Sequence, residues 1–214
     1  MLKTGIGMKN SGILIIFIMA VFCLSACGQA DGQGGSAYTF TDDLGREVTV
    51  GSYERVATLL GSYADMWVLA GGEVCAAPDD AFTDFDLPLA EGTVNLGATK
   101  RLSLEQLLAS NPDFVLASTN TPQHLEWQQA MEGAGITVAY FDVNCFDDYL
   151  RVLKICTEIT GEPDRYEQYG TGIRNQIDEI LEHFAGRRGQ TVLVMRASAT
   201  SIRAKNSQDN VLGE

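Results

Sequence analysis

The residues of this sequence that could do chemistry sit where short apolar runs end. Gly61, Ser62 and Tyr63 follow RVATLL, and Ala77 and Pro78 close EVCAA. Ser118, Thr119 and Asn120 follow FVLA, and Asp142, Val143 and Asn144 follow ITVAYF. If each run is a parallel strand, these are carboxyl ends, where open α/β sheets hold their ligands. The groups on offer are hydroxyls, amides, a carboxylate and a phenol ring. No strand end pairs a nucleophile with a base and a group that orients the base. The two histidines, His124 at the start of a helix and His183 late in another, read as surface side chains. No GxSxG, phosphate-loop or GxGxxG pattern occurs. No Cys/His spacing suits zinc. The acids of residues 78–88 (PDDAFTDFDLP) lack the glycine of a calcium-binding loop, and the stretch reads as a solvated acidic loop. We therefore expect a site that holds a ligand and converts nothing, with no catalytic residue, no resident metal and no cofactor. Its candidates are Ser62, Tyr63, Ser118, Thr119, Asn120, Asp142 and Asn144. Thr119 and Asn144 also have a simpler use in closing turns, so the set carries more weight than its members.

Alternating strands and helices must position these groups. Residues 38–50 read as a hairpin around Asp43-Leu44-Gly45. Residues 55–60 form a first buried strand, 64–70 a short helix stopped by Gly71-Gly72, and 73–77 a second strand. Ser103 is a helix N-cap with Gln106 three residues on, a capping box, and Leu104, Leu107 and Leu108 give that helix an apolar face. Pro112 ends it, and 114–117 is a buried strand. A helix closes near Gly133, a strand covers 136–141, and Phe146–Thr160 is a helix closed by Gly161. Residues 163–185 read as one long helix with Tyr166, Tyr169, Ile173, Ile177, Ile180 and Phe184 in one stripe, weakened at Gly170 and Gly172. At ~1.5 Å per residue it spans about 35 Å, long for a helix that only flanks a sheet. Residues 191–195 open another strand, and 197–207 read as polar loop. The fold class is α/β: a doubly wound, Rossmann-like lobe over 38–161, a long helix over 162–186, and the start of a second, truncated α/β lobe over 187–214.

The first 26 residues read as a signal peptide. Lys3 and Lys9 precede an uncharged run over 13–24, too short to span a bilayer comfortably. Leu24-Ser25-Ala26-Cys27 resembles the lipobox of bacterial lipoproteins, which implies lipidation at Cys27 and a lipid anchor. Residues 27–37 then form a flexible, glycine-rich tether. The whole chain carries a net charge of −13. Without the first 26 residues 13 basic and 28 acidic side chains remain, a net of −15. Nucleic acid, which needs a basic footprint, is excluded as a partner. Beyond Cys27 three cysteines remain, Cys75, Cys145 and Cys156. Cys75 and Cys156 sit in apolar surroundings that suit small buried hydrophobes.

Five pieces carry a further resemblance. They are Asp43-Leu44-Gly45-Arg46-Glu47-Val48 in the hairpin, Arg55-Val56-Ala57, Leu96-Gly97 with Leu102-Ser103-Leu104-Glu105, Asn111-Pro112-Asp113-Phe114-Val115, and Ile159-Thr160-Gly161. In this order behind a lipobox, the chain resembles the iron-siderophore, haem and cobalamin type of ABC transporter substrate-binding lipoprotein. The resemblance implies two α/β lobes joined by the long helix, with a metal chelate between them. It implies a permease and its ATPase as partners, and Glu105 as the carboxylate that docks onto the permease. It also implies a second lobe continuing past Glu214, so that this chain alone binds ligand poorly or not at all. A ferric siderophore is the first ligand choice, cobalamin the second and haem the third. Tyr63, Met66 and Tyr140 could ligate haem iron, but each reads more simply as cleft wall or core. We expect a monomer, lipid-anchored at the outer face of the cell membrane or in the periplasm. The alternative function is a lipoprotein sensor or scaffold that presents ligand with the same fold.

Overall fold

The computed structural model describes residues 37–186, 193–197 and 200–205. The expected signal peptide, Cys27 and the tether up to residue 36 lie outside them, as do 187–192 and 206–214. The chain opens with a hairpin, β1 (Tyr38–Thr41) against β2 (Glu47–Val50), paired antiparallel. There follow β3 (Val56–Thr58), α1 (Gly61–Leu69), β4 (Val74–Ala77), α2 (Asp79–Thr83) and β5 (Val94–Asn95). Next come α3 (Leu104–Ala109), β6 (Phe114–Ser118), α4 (Pro122–Glu126), α5 (Gln128–Gly133), β7 (Thr137–Phe141) and α6 (Phe146–Thr160). Five strands form one parallel sheet in the order β5-β4-β3-β6-β7. The chain winds outward from β3 through β4 to β5, then returns to the other side of β3 with β6 and β7. The expected doubly wound lobe is therefore present, with its switch point between β3 and β6.

Alternation along the strands builds a core on each face of the sheet. Phe114, Leu116, Ala139 and Phe141 join Val56, Trp67, Val152 and Cys156 in one cluster, under α1 and α6. Val115, Ala117, Val138 and Tyr140 join Leu107 and Met131 in the other, under α3 and α5. The hairpin covers the outer edge of β7. Phe40 stacks on Phe141 at 5.9 Å, and the Asp43 N–H donates to the Tyr140 carbonyl. Pairing and covering an edge in this way removes a template for aggregation. Asp42, 3% exposed, locks the hairpin turn by accepting from the N–H groups of Leu44, Arg46 and Tyr140 and from the Arg46 guanidinium. Burial alone would raise its pKa. The hydrogen bonds from Arg46 and Tyr140, with the Arg46 charge, outweigh that and leave it lowered.

Several local expectations change. Residues 79–83, expected as acidic loop, form α2, because Pro78 and two first-turn acids make a good helix start. The capping box at Ser103 is half made: its hydroxyl accepts the Gln106 N–H, but its own N–H donates to the Leu96 carbonyl. The helix ending near Gly133 divides at Trp127 into α4 and α5. The long helix runs as α7 (Pro163–Tyr166), a π turn (Glu167–Thr171) and α8 (Gly172–Phe184), with the wide turn where Gly170 and Gly172 weaken it. Its apolar stripe is real, but no residue of α8 is buried, and Ile180, Leu181 and Phe184 are exposed. Residues 197–207, expected as loop, contain β9 (Ile202–Lys205), which pairs antiparallel with β8 (Val194–Ala197). None of the described helices is long and apolar enough to cross a membrane.

Candidate functional site

A depression of about 430 Å³ opens at the switch point between β3 and β6. Leu60, Ser62, Tyr63, Asp65 and Met66 line it from the end of β3 and the first turns of α1. Ser118, Asn120 and Thr121 line it from the end of β6, and Val143 and Tyr149 from the far side. Four of the seven expected ligand residues thus share one wall. Ser62 and Asn120 are exposed, whereas Tyr63 and Ser118 are buried and contribute mainly the wall behind them.

The loop after β6 is tied to the loop after β7. The Asp142 carboxylate accepts the Asn120 amide at 2.5 Å and the Asn144 amide at 2.6 Å. Asp142 and Asn144 therefore stand at the rim and fix Asn120. Thr119 serves structure: its N–H donates to the Phe141 carbonyl at 3.0 Å, and its hydroxyl lies 3.4 Å from the same oxygen. Asp148 accepts the N–H groups of Asn144 and Cys145 at the start of α6, which holds the rim loop against that helix. Burial would raise the Asp148 pKa, but these hydrogen bonds and Arg151 pull it below the usual carboxylate value. The hairpin tip reaches the same edge. Asp43 accepts the Asp142 N–H at 2.6 Å and pairs with Arg151 at 2.9 Å.

Tyr63 donates its hydroxyl to the Phe141 carbonyl at 2.9 Å. Burial pushes its pKa up to about 12, despite a compensating hydrogen bond with Ser118. It stays a protonated phenol. Tyr140 is fully buried, its pKa also pushed up to about 12 by burial, and it donates to the His124 carbonyl. Met66 is 3% exposed. The simpler reading of all three as wall or core fits these positions. Among the described residues no cluster of three or more His, Cys, Asp or Glu side chains could hold a metal ion.

His124 corrects the expectation of a surface imidazole. It is fully buried, and its Nδ1 accepts the Ser118 N–H at 3.1 Å directly behind the depression. Burial pushes its pKa down to about 4. His183 is exposed, as expected. Cys75 is half-buried and Cys156 buried, and both are free thiols, whereas the Cys145 thiol donates to the Asp148 carboxylate at 3.2 Å. Glu105 is exposed in the first turn of α3.

Sequence reasoning missed Asp43, Asp65, Tyr149 and Arg151. Helical spacing carried a signal for two of them. Asp65 stands one turn after Ser62, and Tyr149 one turn after Cys145, so each faces the edge where its helix begins. Asp43 and Arg151 had no local signal, because β7 brings a hairpin and a helix from distant parts of the chain together.

Comparison with known proteins agrees with this geometry. A family profile described as periplasmic binding protein matches residues 56–210. No curated protein matches the chain. Among solved structures, the siderophore-binding protein BauB, bound to two acinetobactin molecules and ferric iron, is 18% identical with a TM-score of 0.66. The match covers 79% of this chain and 61% of that one. The periplasmic catecholate-siderophore-binding protein VctP of Vibrio cholerae is 13% identical, TM-score 0.66, over 80% of this chain and 62% of its own. Staphylococcus aureus SirA, complexed with staphyloferrin B, is 16% identical, TM-score 0.56, over 74% and 55%. This chain spans about three fifths of the length of the first two. By the profile match over most of its length, the chain belongs to the periplasmic binding protein family.

Proposed function

We propose that this chain is the ligand-capturing component of an ABC importer, holding a metal chelate against the depression and passing it to a permease and its ATPase. The observation that carries this reading is a hollow at the sheet's switch point, lined by Ser62, Tyr63, Asn120 and Tyr149, in a member of the periplasmic binding protein family. Such a hollow, walled by aromatic rings and fixed amides, suits a chelate that already satisfies its own metal. A ferric siderophore is the first choice, since BauB, VctP and SirA are described as siderophore-bound or siderophore-binding. Cobalamin comes second. Haem comes last, because Tyr63 and Tyr140 keep their protons and bond carbonyls, and Met66 is almost wholly covered. The chain works outside the cytoplasm as a monomer, anchored through lipid on Cys27, and Glu105 offers its exposed carboxylate to the permease.

The test is a titration of the protein carrying the second lobe that the resemblance implies, with a ferric siderophore, cyanocobalamin and haemin, followed through tryptophan fluorescence; the 214-residue chain alone should bind weakly or not at all. Trp67, packed on Tyr53 and Phe114 in the core, and Trp127 are the reporters, since a coloured chelate quenches indole emission without touching the ring. Saturable quenching by the siderophore, stronger than by the other two, is the expected result. Stronger quenching by haemin or cyanocobalamin would overturn the choice of ligand, and no quenching by any of the three would overturn chelate binding.

A further inference from the structure

Asp65 is the one carboxylate in the wall of the depression, and it lacks a charge partner among the described residues. It sits on α1 beside Tyr63 and Met66, with Tyr149 across the hollow. No hydrogen bond or ion pair engages its carboxylate among the described residues, whereas Asp42, Asp43, Asp142 and Asp148 at the neighbouring turns are all engaged. Burial raises its pKa, so the group is partly stripped of water with nothing in return.

The surrounding charge does not favour an anion. Among the described residues this edge carries Asp43, Asp65, Asp142, Asp147 and Asp148 against two cations, Arg174, which pairs with Asp147, and Arg151. The Arg151 guanidinium is already spent on Asp43 at 2.9 Å, Asp148 at 3.6 Å and the Asp142 carbonyl at 3.3 Å. A chelate surrounded by carboxylates or catecholates would meet excess negative charge on this wall, with no unpaired cation among the described residues that line it. A cation meets the reverse: an unpaired carboxylate and the half-buried Tyr149 ring in the same hollow. Aromatic faces attract cations, and a partly desolvated carboxylate binds an ammonium more strongly than one in open water.

We propose that Asp65 is a specificity-determining residue that selects chelates carrying a positively charged group, and that the hollow receives that group between Asp65 and Tyr149. This rests on the chelate-binding reading and narrows it to neutral or cationic ferric complexes, ferric hydroxamates with an amine arm foremost. It separates this chain from a catecholate binder of the same fold.

The experiment compares three ferric complexes by titration calorimetry on the protein with its second lobe, unaltered and as Asp65→Asn. Ferrioxamine B is a ferric trihydroxamate with one free ammonium arm. Its N-acetyl derivative keeps the iron cage and loses the charge. Ferric enterobactin is a tris-catecholate trianion. For the unaltered protein the expected order of affinity is ferrioxamine B, then the acetylated form, then the catecholate. One charge-assisted contact separates the first two by about tenfold or more. In Asp65→Asn that gap should close, while affinity for the acetylated form stays constant and shows that the variant is folded. A catecholate that binds as well as ferrioxamine B, or a gap that survives in Asp65→Asn, would overturn the proposal and leave chelate binding intact. Failure of all three complexes to bind the unaltered protein would overturn both.

Discussion

His124 is fully buried, and burial holds its pKa at about 4 against 6.5 for a free imidazole. Its Nδ1 accepts the Ser118 N–H, so the neutral ring carries its proton on Nε2. A second proton would have to enter at Nδ1, where it would face another donor. Above about pH 6.5 the ring is neutral in both folded and unfolded chains, and its titration contributes nothing. Below that, the unfolded chain takes up a proton that the folded chain refuses, so stability falls, and the loss levels off below about pH 4. The full loss is about 3 kcal/mol, at ~1.4 kcal/mol per pKa unit. At about pH 4.5 it reaches about 2.5 kcal/mol, or roughly 5–10 °C in Tm for a chain of this size. The perturbation is His124→Asn, whose amide oxygen can still accept from Ser118 but does not ionise. Thermal unfolding of both proteins is followed by circular dichroism at about pH 7.5 and about pH 4.5. Carboxylates titrate alike in the two, so the difference between them isolates the imidazole. The unaltered protein should lose about 5–10 °C more than the variant on acidification. An equal loss in both would refute the account of a neutral imidazole held behind the ligand edge.

Two further outcomes follow from single side chains. Asp42→Asn should lower stability to urea by about 2–3 kcal/mol, because it strips a buried guanidinium contact and turns an amide N–H₂ towards backbone donors. Since the folded pKa of Asp42 is lowered, its stabilisation is full above the ordinary value of 3.8 and disappears as pH falls through the lower folded value. Glu105→Ala, made in a protein assembled with its permease, should reduce uptake while leaving ligand affinity unchanged and stability within about 1 kcal/mol; equal uptake would leave Glu105 as a charge at a helix end.

Local signals decided how much of this was legible. Helix α6 matches its sequence reading at both ends, because Gly161 adopts φ 73° as a left-handed cap and Phe146 follows a loop of cap-forming residues. The hairpin and β6 were equally plain, as turn chemistry and apolar runs act over a few residues. Strand β5 was not, since two residues become a strand only because β4 lies beside them. Strand β9 owes its pairing to β8 in the same way. Gly61 illustrates a constraint that no pattern reveals: a Cβ there would stand 2.8 Å from the Asp80 carboxylate, so the close approach of α2 requires glycine. At the site, strand-end reasoning found the residues that lie immediately after strands. It missed those one helical turn later and those supplied by the hairpin. His124 was misplaced because PQHLE is polar on paper, and its burial comes from β6 and β7 closing over it.

Helix α6 explains why the scattered parts of the site form one edge. Its first turn carries Asp148, which holds the rim loop through two backbone N–H groups. Arg151, three residues further along the same face, clamps the hairpin tip through Asp43 and the rim through the Asp142 carbonyl. Between them Tyr149 lines the hollow, and its hydroxyl donates to the Tyr169 carbonyl in the π turn at 2.9 Å. A π turn breaks the regular pattern of backbone bonding, and a side-chain donor satisfies the carbonyl it leaves available. One side chain thus touches both the ligand wall and the irregular point of the long helix. The bond is worth only about 0.5–1.5 kcal/mol, so a ligand that shifts Tyr149 can break it at small cost. Asp148 and Arg151 hold their partners through charge-assisted bonds, which are roughly twice as strong. The rim that carries Asn120, Asp142 and Asn144 is therefore held more strongly than Tyr149 is held to the π turn.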